Sequence, residues 1–300
     1  MSVVRTVRGD ISPSDLGPCD AHEHLFLETP AQTGDDFTDV GKAIEEACTL
    51  RAAGARSLVD WTPLGLGRSL EGLRAVSEAT GLHVVGATGL HRDAHYGAGD
   101  PFREEPVERL VKRFVGDLTG ATPAGVIKAG ASYHVVKPFE RTAFEAAAEA
   151  HRRTGAPVCV HSEHGTMGLG LVGLLTGLGV AAGSIVVAHL DRNPDPGEHA
   201  ETAAAGAWLQ FDGPGRTKYH PDSVILALIA ALAERGFADR LLLGGDTGRR
   251  SMFRAYGGGP GLDYVFAHFR PRLERELGRE LSEQIFVANP ARAFAFDPRA

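Results

Sequence analysis

His22 and His24 stand in Cys19-Asp20-Ala21-His22-Glu23-His24-Leu25, and in an extended segment alternate residues point to the same side. Both imidazoles can therefore face one ion. Four further residues able to hold a divalent metal close strand-like runs later in the chain: Lys128, His161, His189 and Asp246. Together they read as a two-metal hydrolase site, in which bound water becomes hydroxide near neutral pH. Each has an ordinary reading as well. A lone buried His is usually a hydrogen-bonded core residue, a single Lys is usually solvated, and an Asp after Gly-Gly is often a turn residue. The combination decides between the two, because four His, a Lys and an Asp at the ends of five strands are an improbable accident.

The elements that must position these residues alternate along the chain. After the His22 segment come short apolar, β-branched or Gly-punctuated runs at 57–61, 83–88, 125–131, 156–162, 184–190, 207–212 and 240–246, which makes eight strand candidates. Between them lie stretches of helical periodicity, among them 40–53, 70–80, 106–118, 139–154 and 223–235. Gly54, Gly81, Gly155, Gly206 and Gly236 follow helices where left-handed caps are expected. Strand and helix in strict alternation predict an α/β protein with a parallel sheet, and eight strands predict a (β/α)8 TIM barrel. No low-complexity linker divides the chain, so 1–300 is expected to be a single domain. An open doubly wound sheet is the alternative, but no Gly-x-Gly-x-x-Gly turn follows the first strand. In a barrel of this kind the strand C-termini converge, so residues more than two hundred positions apart can form one site.

Composition excludes several function classes. The formal net charge of −7 over 300 residues offers no basic excess for nucleic acid or anionic lipid, and a small-molecule partner is expected. Cys19, Cys48 and Cys159 are too widely spaced for a structural zinc or a redox pair, and they are expected as reduced thiols. No apolar run reaches membrane-spanning length. A soluble, cytoplasmic protein is the expectation.

The segments Asp20-Ala21-His22-Glu23-His24-Leu25, Gly125-Val126-Ile127-Lys128-Ala129-Gly130, Val158-Cys159-Val160-His161-Ser162, Val186-Val187-Ala188-His189-Leu190-Asp191 and Leu243-Gly244-Gly245-Asp246 strongly resemble the phosphotriesterase family of the amidohydrolase superfamily. Asn289-Pro290-Ala291-Arg292-Ala293-Phe294 extends the likeness to an Asn-Pro element opening the last helix. Thr247-Gly248-Arg249-Arg250-Ser251 and Thr166-Met167-Gly168-Leu169 resemble the phosphotriesterase homology proteins most. The resemblance implies that His22, His24 and Asp246 bind the more buried ion, and His161 and His189 the more exposed one. It implies that Lys128 bridges both as a carbamate formed with carbon dioxide, since an ammonium has only donors whereas a carbamate offers two anionic oxygens. Zinc suits this donor set, with manganese, cobalt or iron as alternatives. Asp246 would take the proton of the attacking hydroxide. A homodimer is expected at the level of the family.

The substrate must be read from the loops. Trp61, His91, His95, Tyr96, Tyr133 and His134 follow strands two to four and are candidates for pocket walls. Arg216, Lys218, Tyr219, His220, Arg249 and Arg250 follow strands seven and eight, where barrels often bind phosphate. Equally, some of these Arg residues could tie loops down through Asp212 or Asp263. Many family members place His or Arg directly after the Asp ending strand seven, whereas this chain has Asp212-Gly213-Pro214-Gly215. Arg216 or His220 is a candidate to substitute. Three functions are weighed on these grounds. The preferred one is hydrolysis of a carboxylic ester, above all a lactone, with a phosphorylated or carboxylated lactone suggested by the Arg residues. The others are a phosphotriesterase or related phosphoester hydrolase, and a metal- or ligand-binding protein without turnover.

Overall fold

In the computed structural model, which describes residues 1–299, the expected strands line up in parallel. They are β1 (Cys19–Glu23), β2 (Ser57–Asp60), β3 (His83–Val85, continuing as Ala87–Gly89), β4 (Val126–Ala131), β5 (Val158–Ser162), β6 (Ile185–Ala188), β7 (Trp208–Phe211) and β8 (Leu241–Leu243). One main helix follows each: α1 (Val40–Ala52), α2 (Leu70–Thr80), α3 (Val107–Thr119), α4 (Pro138–Thr154), α5 (Gly168–Gly177), α6 (Pro196–Ala204), α7 (Asp222–Glu234) and α8 (Arg270–Leu277). All five predicted cap glycines have positive φ. The architecture is a (β/α)8 barrel.

Two strands differ from expectation in a way that shapes the barrel. The run 83–88 turns at Gly86, where a Cβ would meet Leu70 Cδ2 at 2.7 Å. Its first half pairs with β2 and its second with β4. The run 240–246 leaves the ladder after Leu243. There the wall closes on β1 through the Asp246 N–H, which donates to the His22 carbonyl at 2.8 Å. Gly244 lies so near β1 that a Cβ would stand 2.5 Å from the His22 backbone nitrogen. A side chain at that position would push the two strands apart.

Both faces of every strand are buried, which explains runs that read as continuously apolar rather than alternating. Ile185 and Val187 of β6 pack outward against the helices, while Val186 and Ala188 point into the barrel. The same alternation sends Val126 and Cys159 inward, and Lys128 and His161, two residues further along β4 and β5, share that face. In β1 the inward residues begin as Cys19 and Ala21. A register shift between Asp20 and Glu23 then changes the phase, so that His22 and His24 take over the inward face. The opposite end of the barrel is covered by a hairpin the sequence did not announce, Val3–Thr6 with Gly9–Ile11, extended by Ala295–Phe296. Among the described residues no helix is long and apolar enough to cross a membrane.

Candidate metal centre

All six predicted ligands meet at the C-terminal mouth of the barrel. The His22 ring is fully buried and stacks on Trp61, centroids 3.9 Å apart. Its Nδ1 lies 3.1 Å from Asp212 Oδ2, and its Nε2 is buried without a hydrogen-bond partner. His24 Nδ1 lies 2.8 Å from Thr62 Oγ1, and its Nε2 is 3.3 Å from Asp246 Oδ1. Asp246 reaches the same point from a left-handed backbone with φ of 46°. One donor atom each from His22, His24 and Asp246 therefore falls within 4.8 Å of the others.

The second half of the site carries the strongest indication of a cation. His189 Nδ1 is 2.7 Å from Asp212 Oδ1, and His161 Nε2 is 2.6 Å from Glu163 Oε2. An ionised carboxylate only accepts, so both of these nitrogens must carry the proton. The remaining nitrogens, His189 Nε2 and His161 Nδ1, then present lone pairs to each other at 2.7 Å. Two facing lone pairs repel unless a positive centre lies where they converge, and a divalent ion is the group that fits. Burial also holds His22, His161 and His189 well below the usual imidazole range, which keeps them in the neutral form that ligates.

Asp212 deserves a different role from the one its proximity suggests. With His22 and His189 it forms another group of donors within 4.8 Å, but its contacts are hydrogen bonds from the Nδ1 side of each ring. Its two oxygens thus orient one imidazole in each half of the centre, as partners behind ligating His residues commonly do. The sequence marked Asp212 only as a loop tie. Nothing local signals the pairing, because His22 is 190 residues away in the chain.

Lys128 sits on β4 with Nζ 4.3 Å from the Trp61 ring centroid. Burial pushes its ammonium down to about 8. At pH 7 roughly a tenth is then neutral amine, the form that combines with carbon dioxide. Asp246 is held well below the usual carboxylate range: burial opposes this, but Arg216 foremost and the bond with His24 outweigh it. Its Oδ1 faces the imidazoles, and its Oδ2 receives Arg192 at 2.7 Å and Arg216 at 3.0 Å.

Gly213 is explained by its neighbour Asp191. A Cβ there would stand 2.2 Å from Asp191 Oδ2, while Asp191 Oδ1 accepts the Asp212 N–H at 3.0 Å. The space for a side chain is taken by the group that buttresses Asp212. Of the two candidates to substitute, Arg216 reaches the site, with Nη1 3.0 Å from Asp246 Oδ2. His220 does not: its Nε2 lies 3.4 Å from the Arg192 carbonyl.

A cavity of about 160 Å3 opens over these groups, and Arg216, Lys218, Tyr219 and Arg249 line it, as do His91 and His95. Arg249 also pairs with Asp35 at 3.1 Å. Besides His220, five expected pocket residues lie elsewhere. Trp61 is wholly buried beneath His22 and Lys128, a floor rather than a wall, and donates to the Ala21 carbonyl at 2.8 Å. Tyr96 is buried with its hydroxyl between the Leu64 carbonyl and the His91 N–H. Arg250 packs over Tyr256, 5.0 Å from the ring centroid. Tyr133 and His134 belong to an adjoining cavity. Conversely, Arg92, Glu163 and Arg192 line the cavity over the candidate centre, where the sequence pattern does not point to them. Arg192 had one available signal, its place three residues after His189.

A barrel whose strand ends gather four imidazoles, a carboxylate and a desolvated lysine defines a metal-dependent hydrolase centre. The chain belongs to the phosphotriesterase family, whose model matches residues 2–294. It is 32% identical to a phospho-furanose lactonase of Mycoplasmopsis synoviae, over 98% of this chain and 92% of that protein. The crystal structure of a lactonase from Listeria monocytogenes superposes with a TM-score of 0.92 at 30% identity, covering 98% of this chain and 99% of the other. A phosphotriesterase homology protein from Escherichia coli, crystallised with phosphate in its active site, superposes with a TM-score of 0.87 at 29% identity, over 93% and 99% of the two chains.

Proposed function

We propose that the chain is a lactonase that opens anionic, phosphorylated sugar lactones with two divalent ions at the site described. The single observation that carries the metal reading is the pair of converging lone pairs on His189 and His161, 2.7 Å apart. His22, His24 and Asp246 would hold one ion, His161 and His189 the other, and Lys128 as a carbamate would bridge them. Zinc is the expected metal. Bound there, the ions would supply hydroxide near neutral pH and polarise the carbonyl to be attacked.

The chain's own groups account for the rest. Asp246, ionised and held through Oδ2 by Arg192 and Arg216, would accept the nucleophile's proton and return it to the ring oxygen that leaves. An alkoxide is a poor leaving group, so this proton matters more for a lactone than for an activated aryl ester. Arg92, Arg192, Arg216, Lys218 and Arg249 give the cavity a cationic wall suited to a phosphate or carboxylate. The names of the lactonase relatives and the phosphate in the Escherichia coli protein support this substrate class.

The test is turnover by metal-loaded protein on plain lactones, phosphorylated sugar lactones and aryl phosphotriesters. Highest kcat/KM on the phosphorylated lactones is expected. Turnover of phosphotriesters alone would refute the lactonase reading. No hydrolysis of any ester, lactone or amide with two metals bound would favour a binding protein.

A further inference from the structure

Next to the catalytic cavity lies a second one of about 880 Å3, and the two share Arg92, Glu163 and Arg192 as a common partition. The larger space is walled on its far side by Tyr133, His134 and His164. These rings form an edge-on cluster, Tyr133 4.4 Å from His134 and 5.8 Å from His164 between centroids. Tyr133 is 59% exposed, so the cluster does not serve core packing.

Two further observations mark the wall as built for contact. His134 and His164 both have left-handed backbones, with φ of 53° and 55°, and such strain in non-glycine residues persists only where the surroundings enforce it. Those surroundings are rigid. Glu140 accepts from the N–H groups of Asp93, Ser132 and Lys137 and from the Ser132 hydroxyl, which fixes the turn that carries Tyr133 and His134. Thr166 Oγ1 accepts the His134 N–H at 3.3 Å and donates to the Glu163 carbonyl at 2.8 Å, tying this turn to the one that carries His164.

We propose that this cavity is a subsite for a second, hydroxylated ring on the substrate, so that the preferred lactone bears a glycosyl-type substituent beyond the ring that opens. The proposal rests on the lactonase reading and deepens it. The catalytic cavity has room for about one small ring, and a substituent that passes Arg92, Glu163 and Arg192, which border both spaces, enters the larger one. Aromatic rings receive the C–H face of a sugar, while Ser132, Thr166, Asn193 and Lys137 in the same wall can meet its hydroxyls. These groups are bonded within the protein, Ser132 to Glu140, Lys137 to Asp93 and Asn193 to Glu198, and a sugar hydroxyl would use their remaining hydrogen-bonding capacity, which a purely aromatic substituent could not.

The experiment compares kcat/KM for a disaccharide aldonolactone, the matching monosaccharide aldonolactone and an aryl-substituted lactone on the metal-loaded enzyme. The disaccharide lactone is expected to be preferred over both. Tyr133→Ala and His164→Ala should each lower the disaccharide-to-monosaccharide preference by about two- to tenfold, through KM, in line with one lost ring contact. Equal kcat/KM for the three lactones, an aryl preference, or a disaccharide preference untouched by both substitutions overturns the subsite. If no lactone is hydrolysed, the lactonase reading fails, and the subsite is then judged by calorimetric binding of the corresponding lactams. Tighter binding of the disaccharide lactam, lost in Tyr133→Ala, supports it, and equal affinities overturn it.

Discussion

Asp212→Asn should unbalance the two halves of the metal centre. In the native protein Oδ2 accepts from His22 Nδ1 at 3.1 Å and from the His189 backbone N–H at 3.1 Å, while Oδ1 accepts from His189 Nδ1 at 2.7 Å. An asparagine has one accepting oxygen and one NH2 group. The backbone N–H can only donate, so the amide oxygen must take the Oδ2 position and the NH2 must face His189. His189 Nδ1 is then forced to accept, and a neutral ring must carry its proton on Nε2, the nitrogen aimed at His161. The imidazole pair loses a ligand while His22 keeps its orienting bond. Losing the partner behind a ligating His commonly costs 10- to 100-fold in metal affinity, roughly 1.4–2.7 kcal/mol. Here that loss should fall on the ion held by His161 and His189. Chelator competition followed by elemental analysis should show one ion released at about 10- to 100-fold lower chelator activity than in the parent, and the other little changed. Circular dichroism would verify that the barrel is intact. Release of both ions as in the parent, or equal weakening of both, would refute the orientation argument.

Lys128→Ala should lose bound metal and hydrolase activity, and short carboxylic acids should restore part of both. Full activity at unchanged metal content would sink the carbamate bridge. Gly213→Ala places a methyl 2.2 Å from Asp191 Oδ2, so some destabilisation of about 1–3 kcal/mol is expected, read as a fall in Tm of a few degrees; an unchanged Tm would show that Asp191 yields. Asp93 is bonded by Lys137 at 2.9 Å and by Arg103 at 2.6 Å, and these cations, Lys137 first, hold its carboxyl below the usual range. A depressed folded pKa contributes stability above the unfolded value and loses it as pH falls through the folded one. The destabilisation caused by Asp93→Asn, measured by urea unfolding, should therefore be largest at neutral pH and shrink below about pH 4; a penalty that grows on acidification would contradict the ion-pair origin.

The candidate ligand set was legible because it depends on local rules. His22 and His24 are two apart on an extended segment, and Lys128, His161 and His189 each end an apolar run whose strand character is plain from its own residues. The alternation of such runs with helical periodicity specified the barrel, and a barrel by its geometry gathers strand ends. The aim of longer side chains was beyond that reach. Arg216 arrives at Asp246, whereas His220 and Arg250, equally plausible by position, turn toward Arg192 and Tyr256. Trp61 lies under the site because the second strand points it inward, one layer too deep for a pocket wall. Asp212 orients two imidazoles from opposite halves of the centre, and Gly213 is small because Asp191 occupies its space. Sequence by itself determined which residues could bind metal and on which elements they stand, since side-chain periodicity is a property of a few adjacent residues. Only the tertiary structure decided which nitrogens converge, which arginines hold Asp246 and where the cavities open, because those outcomes rest on distances between residues far apart in the chain.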